Sequence, residues 1–187
     1  MELEIRRLAQ FYRRTLKYDA SNVIHPTALI YPNVVIGRNN YIGPYCVIGG
    51  PPEHARYWKR PIKHLKGVII GDNNHFTSFC GVDAGTTEAT TVLSDCRFLK
   101  NAQVGHDSFI GCNVTLGCNV VVGGHCAVFN GSNLGLGVVM HQKTEVPPGC
   151  MIGMNSTITK KNILFPHTKY AGSPVRAIGS NIRYTNG

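Results

Sequence analysis

The sequence predicts an all-β fold, a left-handed parallel β-helix built on a six-residue repeat and closed by an N-terminal capping α-helix. Two observations predict the β-helix. From Val104 onward every sixth residue is aliphatic: Val104, Ile110, Leu116, Val122, Val128, Leu134, Met140, Val146, Ile152 and Ile158 follow one another without exception. A period of six fits neither a 3.6-residue helix nor simple alternation, but it is the mark of a β-helix in which three hexads make one triangular coil. The second observation is glycine usage: the chain has 21 glycines among 187 residues, with no collagen-like spacing of three.

The same frame runs earlier through Ile24, Ile30, Ile36, Ile42 and Ile48, resumes at Ile70, Phe76 and Val82, and re-enters at Val92 and Phe98. Two insertions therefore interrupt it. Each first-position side chain points into the prism. Glycine at the second position, as in Gly105, Gly111, Gly117 and Gly123, relieves backbone crowding near the corner. The fifth position is small or β-branched and includes Cys46, Cys80, Cys96, Cys126 and Cys150, which read as small buried hydrophobes. Cys112 and Cys118 stand at third positions.

Stacked coils leave open edges that need covering. Residues 1–20 are assigned to a helical cap, because Leu3, Ile5, Leu8, Phe11, Tyr12 and Leu16 form an apolar stripe with Arg6, Arg7, Arg13, Arg14 and Lys17 largely elsewhere. A basic amphipathic helix of this kind can also lie on an anionic membrane. Residues 21–170 are assigned to the β-helix, with a loop projecting at about 49–67, and 171–187 to a C-terminal tail.

Composition bounds the function. Nineteen Lys and Arg against ten Asp and Glu give a net charge of +9, which favours an acidic or phosphate-rich partner. No zinc-finger spacing, aromatic RNA-binding signature or basic-region heptad points to nucleic acid. No run of about 18 apolar residues is available to span a membrane. The N-terminal stretch lacks the apolar core of a signal peptide, so the seven cysteines are expected in a reducing, cytoplasmic setting.

With 18 residues per coil, His125 falls one rung above position 107 and His141 two rungs above position 105. His106, Asp107, His125 and His141 are thus expected beside one another on rungs about 4.8 Å apart. Neutral imidazoles are also good zinc ligands. No HxH spacing pins these three together, and no metal is assigned.

Between residues 24 and 163 the chain resembles the hexapeptide acyltransferases, in particular the UDP-N-acetylglucosamine O-acyltransferases of lipid A biosynthesis. The resemblance is carried by IHPTA at 24–28, IGPYCVIG at 42–49, NAQVGHDSFIG at 101–111, GGH at 123–125 and MHQ at 140–142. It implies a homotrimer with clefts between subunits, and transfer of an acyl group from acyl carrier protein or coenzyme A to a nucleotide-sugar acceptor without a bound cofactor. His106 is then the general base, Asp107 its orienting partner and the Gly124 amide the oxyanion donor, with His125, His141 and Gln142 contacting substrate. Where relatives that accept long acyl chains tend to have a small residue, this chain has Met154, so a short or medium acyl group is expected. Arg56, Lys59 and Arg60 in the projecting loop suit a diphosphate. The family's helical C-terminal domain is not expected here; the ending KYAGSPVRAIGSN instead resembles that of acetyl-coenzyme A dependent sugar acetyltransferases, with Gly172, Pro174 and Arg176 at the matching donor-binding places. An acetyl-coenzyme A dependent sugar O- or N-acetyltransferase is the alternative within this fold, and a non-catalytic binding module the alternative outside enzymes.

Overall fold

Two-residue strands separated by four-residue corners repeat along the chain, as Gln103–Val104, Phe109–Ile110, Thr115–Leu116 and Val121–Val122 illustrate. The computed structural model describes residues 19–52 and 64–181. Most of the proposed N-terminal cap, and Arg56, Lys59 and Arg60 of the projecting loop, lie outside the described residues. Among these there is no α-helix.

Every third strand pairs in parallel, so the chain winds into a parallel β-solenoid with three faces of nine, seven and six strands. The pairs Arg97↔Thr115, Gln103↔Val121 and Phe109↔Ala127 set a rung of 18 residues, and the offset persists through Val139↔Thr157. First-position aliphatics fill the interior as one continuous column. Phe98, Ile110, Leu116, Val128, Leu134, Val146 and Ile152 are fully enclosed, each contributing about 1.5–3 kcal/mol relative to exposure. Phe76 and Phe98 stack with centroids 4.4 Å apart. The five fifth-position cysteines are buried and unbridged, while Cys112 and Cys118 are half-buried. Burial pushes the Cys96 thiol up to about 11, as fits a packing group.

The corners obey one rule. Their fourth hexad position is left-handed almost throughout: Asn101, Asp107, Asn113, Asn119 and His125 all have φ between 56° and 61°. Asn, Asp and His are enriched in that conformation because their short polar side chains tolerate it. Glycine at the second position answers a different demand, since a Cβ on Gly123 would stand 2.7 Å from the Gln142 nitrogen one rung above.

Both insertions fall at the same corner, between the seven-stranded and six-stranded faces. One separates Val47–Gly50 from Val68–Ile70, and the other separates Gly81–Asp83 from Thr90–Val92. They meet where Gly67 and Gly85 form an antiparallel bridge. At its far end the solenoid is closed by Thr168–Ala171 pairing antiparallel with Arg176–Ser180, so part of the predicted tail completes the nine-stranded face.

Candidate active site

The corner that carries both insertions also carries the predicted catalytic residues, directly above them. His106 follows the strand Gln103–Val104, and Gly124 follows Val121–Val122 one rung higher. Their stacking is tight: a Cβ on Gly124 would lie 2.7 Å from His106 Nε2, so only glycine leaves the imidazole its place. His106 is 9% exposed, and its Nδ1 donates to Asp107 Oδ2 at 2.6 Å. A carboxylate only accepts, so this bond puts the ring proton on Nδ1 and the neutral ring's lone pair on Nε2.

Asp107 has a side chain only 2% exposed. It accepts from the Thr86 amide at 3.0 and 3.1 Å, the Thr86 hydroxyl at 2.7 Å, the Thr87 amide at 2.7 Å, the Thr87 hydroxyl at 2.9 Å and the Glu88 amide at 2.8 Å. Burial alone works to raise its pKa, but the donors, led by the Glu88 amide and His106, outweigh it and hold the carboxyl far below the usual carboxylate range. Its own amide donates to buried Thr90 Oγ1 at 2.9 Å.

The amides flanking Gly124 are used within the solenoid: Gly123 donates to Met140 and His125 to His106. Among the described residues the Gly124 amide has no backbone acceptor, and glycine at 105 leaves its nitrogen uncovered, since a Cβ there would abut it at 2.8 Å. A base, its orienting carboxylate and an amide without a backbone acceptor therefore share one corner.

A groove of about 580 Å³ opens beside them, running over the seven-stranded face from Tyr31 and Val47 to Gln142 and lined also by Pro51, Asp83, Gln103, His106 and Gly124. The rung arithmetic places Gln142 in register above Gly124, and it lines the groove as expected. His125 packs edge-on against His106, with centroids 5.0 Å apart and planes at 84°, and its Nε2 is 3.8 Å from Asp107 Oδ2. His141 stands on the same corner two rungs above Gly105, but it is exposed and its Nδ1 donates to the Gln142 carbonyl at 2.9 Å, outside the groove lining. Two of the three imidazoles are thus in ring contact and the third is set apart.

His106, Asp107 and His125 have potential metal-ligand atoms within 4.8 Å of one another. The donor chemistry fits a metal poorly, because Asp107 already accepts from six protein donors and His106 Nδ1 is bound to it.

Other predicted residues sit elsewhere. Met154, 67% exposed, lies at the opposite edge of the seven-stranded face, between Met151–Ile152 and Thr157–Ile158, and is not in the groove lining. Gly172 and Pro174 form the turn between the last two strands, with the Thr157 amide donating to the Gly172 carbonyl at 3.0 Å; Arg176 is exposed. That turn stands on another corner, four rungs above Lys100 in the coil that carries His106. Sequence reasoning missed Thr86, Thr87 and Glu88; the signal was the second insertion itself, which delays the frame between Val82 and Val92.

The profile of the bacterial transferase hexapeptide repeat (six repeats) matches residues 20–50. The six-residue period that this profile describes continues along the chain to Ile158. The chain is 26% identical over 150 residues to the acyl-carrier-protein–UDP-N-acetylglucosamine O-acyltransferase of Burkholderia orbicola, covering 79% of this chain and 55% of that one. It is 30% identical over 128 residues to the Helicobacter pylori protein of the same name, covering 67% and 46%. The chain thus spans about half the length of these curated relatives. Its fold matches that of UDP-N-acetylglucosamine acyltransferase from Bacteroides fragilis, with a TM-score of 0.74 at 23% identity over 91% of this chain and 78% of that one. It also matches perosamine N-acetyltransferase from Caulobacter crescentus, solved with CoA and GDP-perosamine, with a TM-score of 0.51 at 16% identity over 95% and 65%.

Proposed function

We propose that this protein is an acyltransferase that moves an acyl group from a thioester donor, acyl carrier protein or coenzyme A, to a hydroxyl or amine of a nucleotide-activated sugar, UDP-N-acetylglucosamine being the first candidate. The observation that carries the reading is the 2.6 Å bond from His106 Nδ1 to a buried, fully hydrogen-bonded Asp107, beside the Gly124 amide and an open groove. A structural scaffold has no use for a base with its orienting partner. The curated relatives are named for this transfer.

In the reaction, His106 Nε2 takes the proton from the acceptor hydroxyl or amine as that atom attacks the thioester carbonyl carbon. The imidazolium formed is stabilised by Asp107, which stays ionised. Negative charge developing on the thioester oxygen is met by the Gly124 amide. Collapse of the tetrahedral intermediate breaks the carbon–sulfur bond, and the thiolate recovers its proton from His106. His125, His141 and Gln142 are assigned to the acceptor, and no metal or bound cofactor takes part.

Further assignments complete the proposal: the homotrimer with clefts between subunits and the loop whose Arg56, Lys59 and Arg60 meet the diphosphate rest on the family resemblance, the left-handed winding on the hexad repeat, the N-terminal helical cap over 1–20 on its apolar stripe, and the cytoplasmic setting on the unpaired cysteines. Gly172, Pro174 and Arg176 are assigned to the donor. Met154 comes from the far edge of the face that carries the groove, which suits a role at the end of an acyl channel shared between subunits.

Incubation with acetyl-coenzyme A or acyl carrier thioesters and UDP-N-acetylglucosamine, followed by free thiol, tests the proposal. His106→Ala is expected to abolish thiol release while the assembly stays intact; release that persists in this variant refutes the assignment.

A further inference from the structure

Asp107 is held by a turn that the hexad repeat does not require. From Val82 to Val92 the frame is delayed by an insertion, and that insertion places three consecutive backbone amides and two hydroxyls on one carboxylate. Successive amides converging in this way make an anion nest. The turn is itself anchored: the Gly85 amide donates to the Gly67 carbonyl at 2.9 Å, and the Gly85 carbonyl accepts from the Lys66 amide at 2.8 Å. Glycine is required at 85, where a Cβ would collide with the Glu88 carbonyl.

The donors divide unequally between the two oxygens. Oδ1 takes the Thr87 amide and hydroxyl and the Glu88 amide, the Thr86 amide is shared between the two oxygens at 3.0 and 3.1 Å, and Oδ2 takes the Thr86 hydroxyl at 2.7 Å and His106 Nδ1 at 2.6 Å, with His125 Nε2 3.8 Å away. Saturating Oδ1 fixes the rotation of the carboxylate, and the Thr86 hydroxyl fixes the side of Oδ2 that is left to the imidazole.

We propose that the Thr86–Thr87–Glu88 turn is the positioning element of this site, with Thr86 the residue that tunes His106 through the oxygen they share. The turn keeps Asp107 anionic and aimed at Nδ1, and so keeps the His106 lone pair on Nε2. As a contribution to catalysis this rests on the acyl-transfer reading; as a contribution to the state of the imidazole it does not.

The test compares Thr86→Val with Thr87→Val, which remove one hydroxyl each from the same turn. Removing the Thr86 hydroxyl leaves Oδ2 free to turn away from Nδ1, which weakens its hold on both the Nδ1–H tautomer and the imidazolium. Thr86→Val is therefore expected to lower kcat roughly tenfold with KM within about twofold, and to move the acidic limb of the kcat/KM pH profile downward. Thr87→Val should do markedly less, and Thr86→Ser should restore both readouts. Imidazole ¹⁵N NMR of the unliganded protein above pH 8 is expected to report the Nδ1–H tautomer in the wild type and a mixed population in Thr86→Val. Equal effects of the two valine variants, or an unchanged limb and tautomer in Thr86→Val, overturn the proposal. A wild type that shows this tautomer response but no turnover with any thioester overturns the acyl-transfer reading and leaves the positioning role standing.

Discussion

The Nδ1 of His106 and the Oδ2 of Asp107 stand 2.6 Å apart although the two residues are adjacent in sequence. Consecutive residues in an extended strand point to opposite faces. Here the pair meets because Asp107 has turned into the left-handed region, at φ 57°, which swings its side chain back alongside its neighbour. Asp107→Asn tests what that contact does. The amide has one acceptor oxygen where the carboxylate has two, so one of the turn's donor sets must face an NH₂ group, and an NH₂ facing His106 reverses the ring tautomer. We expect kcat to fall by about 10²–10⁴-fold with the solenoid intact, measured by thiol release and circular dichroism. Activity within a few-fold of wild type would remove Asp107 from the mechanism.

The same carboxylate makes stability depend on pH. Its folded-state pKa is depressed below the ordinary value of 3.8, so the folded state favours the anion. The resulting stabilisation is present above the ordinary carboxylate range and is lost as pH falls through and below it. Urea unfolding of the wild type and Asp107→Asn from pH 7 to pH 3 should show a gap that is constant at the upper end and narrows below about pH 4. A gap that widens on acidification would contradict the assignment.

Gly124 is expected to tolerate no side chain. A Cβ there meets His106 Nε2 at 2.7 Å, which must push the imidazole away from the groove. Gly124→Ala should lower kcat by at least about 10²-fold, since misplacement of a reacting group by about 1 Å costs that much. Gly124 is partly exposed and outside the left-handed region, so unfolding should change by less than about 1 kcal/mol. Thermal denaturation together with kinetics checks both halves; a loss of activity that merely tracks a loss of folded protein would defeat the steric argument.

Much of this site was legible in the sequence because an 18-residue rung is simple arithmetic once the hexad frame is found. Asp107 beneath His125 and Gly124 above His106 both follow from it. His141 shows its limit: the rung and corner were right, but a neighbouring carbonyl takes its ring nitrogen. Thr86, Thr87 and Glu88 were invisible because they lie in an insertion, where the frame carries no register. Their contact with Asp107 depends on Gly67, which the other insertion supplies. The left-handed fourth position was present in the sequence as a column of asparagines, and only the backbone angles showed that Asp107 and His125 occupy the same conformational slot.

Met154 provides the last prediction. It is 67% exposed at the edge of the seven-stranded face opposite the His106 corner, so within one chain it cannot end a groove that stops at Gln142. An exposed methionine at a corner that stacks between Gly153 and the left-handed Asn155 contributes little to stability, and Met154→Gly should unfold within about 0.5–1 kcal/mol of wild type. If its thioether closes an acyl channel formed with a second copy of the chain, removing it opens apolar volume, and the preferred donor should shift to longer acyl chains, each added methylene being worth up to about 0.8 kcal/mol where it is buried. Competition between thioesters of graded chain length measures the shift. An unchanged profile would detach Met154 from donor selection and place the end of the channel elsewhere on that face.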